Sequence, residues 1–279
     1  MSLQVAIDGL SVVTQKGGDG DLCIQELGGL TVDQLRWIFS SYTEAELEAS
    51  GWDASSIANS DGDDATHLWS ELSADCAEAE IKIAGPDSES GTYEYMSETI
   101  FADLDNGEIF DAARPDKYFN SATDEEIMAY LAGDADAIAY VGFAYYKSNE
   151  EAVSAATIQN EEGEFVAPDS TTVGDGSYNP LARRIYMNLL TAEDTMMYTG
   201  HFVQFGLSMM GDSLVSNTGY VPLPPADKME MTARLNMCPP GGEIAIAGSS
   251  TVYPVAELWA AHYMNICPTT KSKRTHVSL

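Results

Sequence analysis

Hydroxylated and small residues are concentrated in one stretch of the chain, Gly85 to Thr92. Ser88, Ser90 and Thr92 offer hydroxyl donors, and Gly91 lets a ligand approach the backbone closely. Where such a stretch opens a helix, the first backbone N–H groups have no partner within the helix and carry partial positive charge. The stretch therefore has the chemistry of an oxyanion-binding turn. Ser and Thr are also the usual N-cap residues, so a purely structural helix cap is the alternative interpretation.

The segments on either side of this stretch predict the elements that would position it. Residues 80–84 are typical of a short strand. Residues 93–104 predict a helix, because their apolar residues recur on one face with helical spacing. These are Tyr93, Met96, Ile100, Phe101 and Leu104. The order of strand, hydroxylated turn and helix is the geometry that holds an oxyanion at a helix N-terminus.

The same order occurs a second time near the end of the sequence. Residues 243–247 predict a strand, and Ser249, Ser250 and Thr251 follow it in a second hydroxylated turn. Residues from 254 onward predict a helix. Two such turns in one chain favour an α/β protein that binds an anion through backbone N–H and hydroxyl groups.

The charge of the chain restricts its partners. Its 279 residues contain 44 acidic and 13 basic side chains, which gives a net charge of −31. Such a chain repels nucleic acid and anionic membranes, so we expect no nucleic-acid partner. The acidity suits an extracellular, salt-screened setting, although no signal peptide is visible at Met1. Because bulk charge opposes anion binding, any anion site must depend on local dipoles.

Catalysis and a bound metal are not indicated. The four histidines lie in unrelated contexts, and no Gly-x-Ser-x-Gly nucleophile turn is present. Asp19 and Asp21 lie in a glycine-rich loop, but two acids fall well short of a calcium-binding loop, and a solvated turn is the simpler interpretation. The sequence predicts a protein that is not an enzyme and needs no cofactor.

The four cysteines allow three pairings. Proximity in the sequence favours two disulfides, Cys23–Cys76 and Cys238–Cys267. Four free buried thiols are nearly as consistent with the spacing.

Further signals place other elements. Thr31 with Gln34, and Thr123 with Glu126, have the spacing of capping boxes and predict helix starts. A longer helix is predicted over roughly 192–211, and the Pro-Pro-Gly-Gly stretch at 239–242 indicates a boundary.

Four stretches together resemble the phosphate-binding proteins of ABC phosphate transporters, in their cyanobacterial and algal branch. They are Ala84-Gly85-Pro86 with Ser90-Gly91-Thr92, Gly142-Phe143-Ala144-Tyr145-Tyr146, Tyr178-Asn179-Pro180-Leu181-Ala182-Arg183, and Gly248-Ser249-Ser250-Thr251-Val252-Tyr253-Pro254. The resemblance implies a periplasmic-binding-protein-like fold of type 2, with two α/β lobes that hinge closed over one inorganic phosphate. It also implies an extracytoplasmic, non-catalytic protein whose partner is an ABC transporter permease.

The resemblance assigns roles to single residues. Ser90, Gly91 and Thr92, with Ser88 beside them, match the phosphate turn of lobe two. Thr251, with Ser249 and Ser250 beside it, matches the lobe-one turn. Many members of the family have an arginine where this chain has Pro86, and Arg114 is the nearest candidate replacement. The alternative for Arg114 is a surface arginine paired with this acidic protein.

The order of the motifs departs from the family, since the Gly-Ser-Ser-Thr turn comes last instead of first. We therefore expect one complete lobe and one partial, rearranged lobe. The expected parts are lobe two over 11–183, partial lobe one over 1–10 and 184–238, the first strand–helix unit of a further copy over 239–270, and an exposed tail over 271–279. This order predicts a piece of a tandem-repeat protein, with neighbouring repeats as further partners. The family segment that normally contributes a serine and an aspartate to the ligand is absent. The alternative function is therefore a structural or adhesive repeat that has lost its ligand.

Overall fold

The structure is a computed structural model that describes most of the chain. The described residues are 2–63, 65–101, 118–189, 193–229, 242–248, 251–266 and 270–276. The chain forms two compact units. Unit 1 comprises Met1–Asp8, Val173–Asp175 and Ala182–Leu279, and unit 2 comprises Gly9–Thr172 and Gly176–Leu181.

A mixed β-sheet forms the centre of unit 2. Its strands are β1 (Ser2–Gln15, of which residues from Gly9 onward belong to unit 2), β2 (Lys82–Pro86), β3 (Tyr118–Ser121), β4 (Ala137–Gly142) and β5 (Val153–Ala155). The strand order is β3-β2-β4-β1-β5, with β2 parallel to β3 and β4 and with β1 antiparallel to β4 and β5. Strand β4 is almost wholly buried, which explains its continuous apolar sequence.

The remaining elements up to residue 175 belong to unit 2, except that Val173–Asp175 of the last helix belongs to unit 1. The helices are α1 (Asp19–Leu27), α2 (Val32–Phe39), α3 (Glu44–Ala49), α4 (Trp69–Leu72), α5 (Gly91–Met96), α6 (Asp124–Gly133), α7 (Phe143–Asn149) and α8 (Ser170–Asp175). A 3₁₀ turn covers Ala54–Ser56, a π-helical turn continues α5 over Ser97–Phe101, and strands β6 (Ile158–Gln159) and β7 (Phe165–Val166) pair antiparallel. One core cluster joins α6 to the sheet through Ile127, Leu131, Ala139, Val141 and Val13.

The capping box predicted for α2 is confirmed, whereas the one predicted for α6 has other hydrogen-bond partners than expected. The Thr31 hydroxyl accepts from the Gln34 N–H, and the Gln34 side chain accepts from the Thr31 N–H. Thr123 makes no such bond. Instead the Ser121 hydroxyl accepts from the Thr123 N–H at 3.0 Å and donates to the Glu126 carboxylate at 2.6 Å. Ser121 takes this role because it ends β3, two residues before the N-cap residue Thr123.

The first predicted disulfide is confirmed. Cys23 in α1 and Cys76, between α4 and β2, are bonded, with their Cα atoms 4.9 Å apart. Cys238 and Cys267 lie outside the described residues.

Unit 1 combines strands with an aromatic helical core. Its elements are β8 (Ala182–Asn188), which pairs with β1, α9 (Glu193–Gly206), α10 (Met209–Asn217), α11 (Pro225–Met229), β9 (Gly242–Gly248), α12 (Tyr253–Ile266) and β10 (Thr270–His276). Phe202 of α9 packs edge-on against Tyr263 and Trp259 of α12. These contacts bury the apolar face of each helix.

Two predictions for unit 1 differ from the structure. The helix expected over 192–211 is broken, because Ser208 has extended backbone and caps a new helix, α10, by accepting from the Gly211 N–H. The segment expected to form the tail contains a strand that the sequence did not predict, β10, which pairs parallel to β9 from Thr270 to His276. Backbone pairing decides this element, since its sequence has no apolar periodicity.

Among the described residues, no helix has both the length and the apolar character needed to cross a membrane.

Candidate functional site

The predicted anion-binding turn lies at the carboxyl ends of three neighbouring parallel strands in unit 2. Strand β2 ends at Pro86, β3 at Ser121 and β4 at Gly142, and a helix begins shortly after each. In open α/β sheets this edge is where ligands bind, since loops and helix N-termini collect there. The turn between β2 and α5, residues 87–90, is half as long as the predicted turn, residues 85–92, because β2 extends through Gly85 and Pro86 and α5 already begins at Gly91.

Backbone and side-chain hydrogen bonds fix the shape of this turn. The Asp87 N–H donates to the Ser121 carbonyl at 3.1 Å, which joins the turn to the end of β3. The Asp87 carboxylate accepts from the Glu89 N–H at 3.1 Å, and the Asp87 carbonyl accepts from the Ser90 N–H at 3.1 Å. The Asp87 carboxylate therefore shapes the turn from within.

Ser90 is the N-cap of α5. Its backbone is extended, and its hydroxyl oxygen accepts from the Thr92 N–H at 3.1 Å. A hydroxyl that accepts one hydrogen bond still has its own proton to donate, so the cap is compatible with a ligand contact. Gly91 is buried, Ser90 and Thr92 are half-buried, and Ser88 is exposed. The structure thus brings Ser90, Gly91 and Thr92 together at one helix start, with Ser88 two residues before the cap.

Two buried tyrosines support the turn from beneath. The Tyr118 hydroxyl donates to the Pro86 carbonyl at 2.7 Å and lies 2.9 Å from the Tyr140 hydroxyl. Because the single hydroxyl proton of Tyr118 is used in the hydrogen bond to the Pro86 carbonyl, the Tyr140 hydroxyl must donate to the Tyr118 oxygen. Burial raises the pKa of both phenols, so both keep their protons at neutral pH. A Cβ on Gly85 would lie 2.5 Å from the Tyr118 hydroxyl oxygen, so only glycine fits there.

The described cations of unit 2 are engaged elsewhere. Lys82 binds Asp134 at 2.7 Å, Lys147 pairs with Glu150, Lys16 donates to the Glu150 carbonyl, and Arg36 donates to the Ile100 carbonyl at 2.7 Å. The next helix along the edge, α6, begins with three acidic residues. The donors that the described part of unit 2 presents at this turn are therefore backbone N–H groups and hydroxyls.

In unit 1, Thr251 lies in a cluster of polar side chains. The Arg183 guanidinium donates through one nitrogen, Nη2, to the Thr251 hydroxyl oxygen at 3.2 Å and to the Asp8 carboxylate at 3.3 Å. The Tyr220 hydroxyl donates to the Thr251 carbonyl at 2.7 Å. Asp8 is buried and Arg183 is partly exposed. Thr251 lies two residues before Tyr253, the first residue of α12.

The structure tests the position of only some predicted site residues. Ser249, Ser250 and Arg114 lie outside the described residues. Sequence reasoning missed the supporting tyrosines and the role of Asp8. Both tyrosines lie on the strands that flank β2, and their rings approach Gly85, but Tyr118 is paired with Ile83, so only the strand pairing reveals this contact. Asp8 has no local sequence signal, because it lies 175 residues from Arg183 in the sequence. Among the described residues, no group of three potential metal ligands comes together.

Comparison with known proteins relates the chain to two sets of sequences. It is 26% identical over 225 residues to the protein SphX of Synechococcus elongatus, a match that covers 80% of this chain and 56% of SphX. It is 24% identical over 235 residues to the phosphate-binding protein PstS of Staphylococcus saprophyticus, covering 84% of this chain and 60% of PstS. The chain thus spans little more than half the length of these relatives. No model of a protein family matches it.

A solved structure gives the same relationship. A possible phosphate binding protein from Planctomyces limnophilus superposes with a TM-score of 0.59 at 25% identity, over 83% of this chain and 70% of that protein. The mixed α/β architecture predicted from the sequence is therefore confirmed. Its sequence matches and its fold together make this chain a relative of SphX and of the phosphate-binding protein PstS.

Proposed function

We propose that the chain binds inorganic phosphate without transforming it. The observation that carries this proposal is the Ser90-Gly91-Thr92 turn, held at the carboxyl edge of the parallel strands with its hydroxyls and helix start in place. The relatives named for phosphate binding support phosphate as the oxyanion. The mechanism is replacement of ligand hydration by oriented N–H and O–H donors, which need no rearrangement when the anion arrives.

The biological setting follows from the same relationship. We propose that the protein acts outside the cytoplasm and delivers phosphate to an ABC transporter permease. Its net charge of −31 is consistent with solubility in an extracellular medium whose salt screens the repulsion between the acidic residues. Neighbouring repeats of the same fold remain a prediction from the order of the sequence motifs.

Isothermal titration calorimetry of the full chain with inorganic phosphate tests the function. We expect saturable heat with phosphate, and a titration with sulfate at equal ionic strength measures how far the site discriminates between oxyanions. An absence of heat with both anions would contradict phosphate binding and would favour the structural or adhesive repeat. Hydrolysis of a chromogenic phosphate ester would contradict the non-catalytic assignment.

The Ser90 hydroxyl provides a sharper test. We expect Ser90→Ala to weaken phosphate binding roughly tenfold, because a hydrogen bond to a charged group contributes about 1.5 kcal/mol or more. The same change should lower the free energy of unfolding by about 1 kcal/mol through the lost helix cap. Calorimetry and urea unfolding measure the two effects separately.

Ser208→Ala is the matched control. Ser208 caps α10 in unit 1 by accepting from the Gly211 N–H at 3.3 Å, so its loss also removes a serine cap. We expect a similar loss of stability without a change in phosphate affinity. Equal affinities of the two variants would show that Ser90 is only a helix cap.

A further inference from the structure

The Arg183 cluster in unit 1 consists of Arg183, Asp8, Thr251 and Tyr220. Besides the ion pair between Arg183 and Asp8, it contains a hydroxyl contact that an ion pair alone would not require. Arg183 Nη2 contacts a carboxylate, that of Asp8, and a hydroxyl, that of Thr251. The neighbouring residue on β8, Arg184, makes an ordinary exposed pairing with Asp227 at 2.6 Å. The two arginines therefore have the same charge but different surroundings.

The geometry orients the Thr251 hydroxyl. Its oxygen accepts from Arg183 at 3.2 Å, so its proton cannot point toward the guanidinium. A hydroxyl that accepts from a cation is polarised and becomes a stronger donor. The Tyr220 hydroxyl fixes the backbone of the same residue by donating to the Thr251 carbonyl at 2.7 Å. Both the side chain and the main chain of Thr251 are thus held in place.

The buried carboxylate of Asp8 fixes the position of the Arg183 guanidinium. Asp8 has a side-chain exposure of 6% and Arg183 one of 23%, so the pair is shielded on the Asp8 side and reaches solvent on the Arg183 side. Asp8 neutralises the guanidinium and fixes its plane, while the planar fork of arginine suits oxyanions. Such a cluster is charge-neutral before the anion arrives, so it binds by orientation of donors.

We propose that Arg183 is an oxyanion-binding residue of unit 1, which contacts phosphate directly and positions the Thr251 hydroxyl as a second donor to it. This inference rests on the proposed phosphate binding and adds to it a cation and a hydroxyl of unit 1. Asp8 is the positioning residue for the guanidinium. The ligand class is a tetrahedral oxyanion, and inorganic phosphate is the probe.

The test compares two arginine variants of the full chain by calorimetry with inorganic phosphate. We expect Arg183→Met to weaken phosphate binding by about tenfold to a hundredfold, the range for losing a charge-assisted contact. Arg184→Met removes the same charge one residue further along β8, and we expect its affinity to stay within about twofold of the wild type, because an exposed pair is screened by solvent. Arg183→Lys should fall between the two, since lysine keeps the charge and loses the fork.

Asp8 separates an anion-binding role from a structural one. If Arg183 contacts the anion, Asp8→Asn removes a nearby negative charge while the asparagine oxygen still accepts from the guanidinium and holds it in place, so phosphate binding should tighten by about threefold or more. If the pair is only structural, Asp8→Asn and Arg183→Met should lower stability alike and should not change affinity in opposite directions. Removal of one partner leaves a buried charge, so Asp8→Asn with Arg183→Met is the variant to use where Arg183→Met alone does not fold. That double variant should also bind phosphate at least tenfold more weakly.

The outcomes are distinct from a failure of the proposed function. A wild-type chain that gives no heat with phosphate refutes phosphate binding itself. A wild-type chain that binds phosphate, with Arg183→Met as tight as Arg184→Met, overturns the role of Arg183 alone. Weakening by Asp8→Asn equal to that by Arg183→Met assigns the pair to structure and also overturns the inference.

Discussion

Removal of the Cys23–Cys76 disulfide is expected to lower the free energy of unfolding by about 4 kcal/mol. The bond closes a loop across a sequence separation of 53 residues, and a loop of that length loses on the order of 4 kcal/mol of conformational entropy in the unfolded chain. Cys23 is buried in α1, so the bond ties that helix to the segment that leads into β2. The enclosed segment is rich in acidic residues whose mutual repulsion favours expansion once the bond is lost.

Urea unfolding of the double variant Cys23→Ala with Cys76→Ala measures this effect. Addition of a reductant to the wild type should reproduce most of the loss, while the reductant effect that remains in the double variant reports on the other two cysteines. An unfolding free energy of the double variant within 1 kcal/mol of the oxidised wild type would contradict the expectation, because that is well below the loop-closure estimate.

Much of unit 2 could be predicted from local sequence. The buried strand β4 is a continuous apolar run, and α2 begins at a Thr–Gln pair with capping-box spacing. Both are signals within a few residues, so they need no knowledge of the rest of the fold. The capping box predicted for Thr123 and Glu126 of α6 was wrong because the hydrogen bonds at this helix start depend on a residue outside the box. Ser121 competes with Thr123 as the local hydrogen-bond partner, and only the end of β3 decides between them.

Unit 1 was harder, because its elements depend on packing between distant segments. The break between α9 and α10 occurs where Gly211 approaches the Gly206 carbonyl so closely that a side chain could not fit. Strand β10 has no strand-like sequence pattern and is defined by its pairing with β9. Neither feature has a periodic signal that sequence reasoning could use.

The candidate site shows the same division. The hydroxyls of Ser90 and Thr92 were recognised because they lie within one turn of a helix start. The contact of Arg183 with Thr251 spans 68 residues and was not recognised. No residue near Arg183 in the sequence indicates an anion ligand, because its partners Thr251 and Asp8 lie 68 and 175 residues away. Donors contributed by distant segments are therefore the part of an anion site that a single sequence conceals.

Substitution of Gly85 by alanine is expected to damage both stability and phosphate binding. The added methyl group would lie 2.5 Å from the Tyr118 hydroxyl oxygen and 2.7 Å from Tyr140 Cε1. Both rings are buried, and Tyr140 also packs edge-on against Phe39, so neither ring has room to move away. Strand β2 must shift instead, at a cost of about 1–3 kcal/mol for overpacking.

The shift would directly reach the turn that we propose binds the anion. Pro86 follows Gly85 and is the last residue before the turn, and its carbonyl accepts the hydrogen bond from the Tyr118 hydroxyl. Preorganised donors lose most of their value when displaced by a fraction of an ångström, so we expect phosphate affinity to fall about tenfold or more. Calorimetry at a temperature where the variant is fully folded separates this loss from unfolding.

Gly133→Ala is the matched control for this change. Gly133 ends α6, and a Cβ built there meets nothing within 4 Å. Since alanine is the better helix former by up to about 1 kcal/mol, this variant should be as stable as the wild type or more so and should bind phosphate equally well. If Gly85→Ala matched Gly133→Ala in both melting temperature and phosphate affinity, the tyrosine pair could not be the support that holds the turn in place. Loss of stability with full affinity would instead confine the role of Gly85 to the packing of β2.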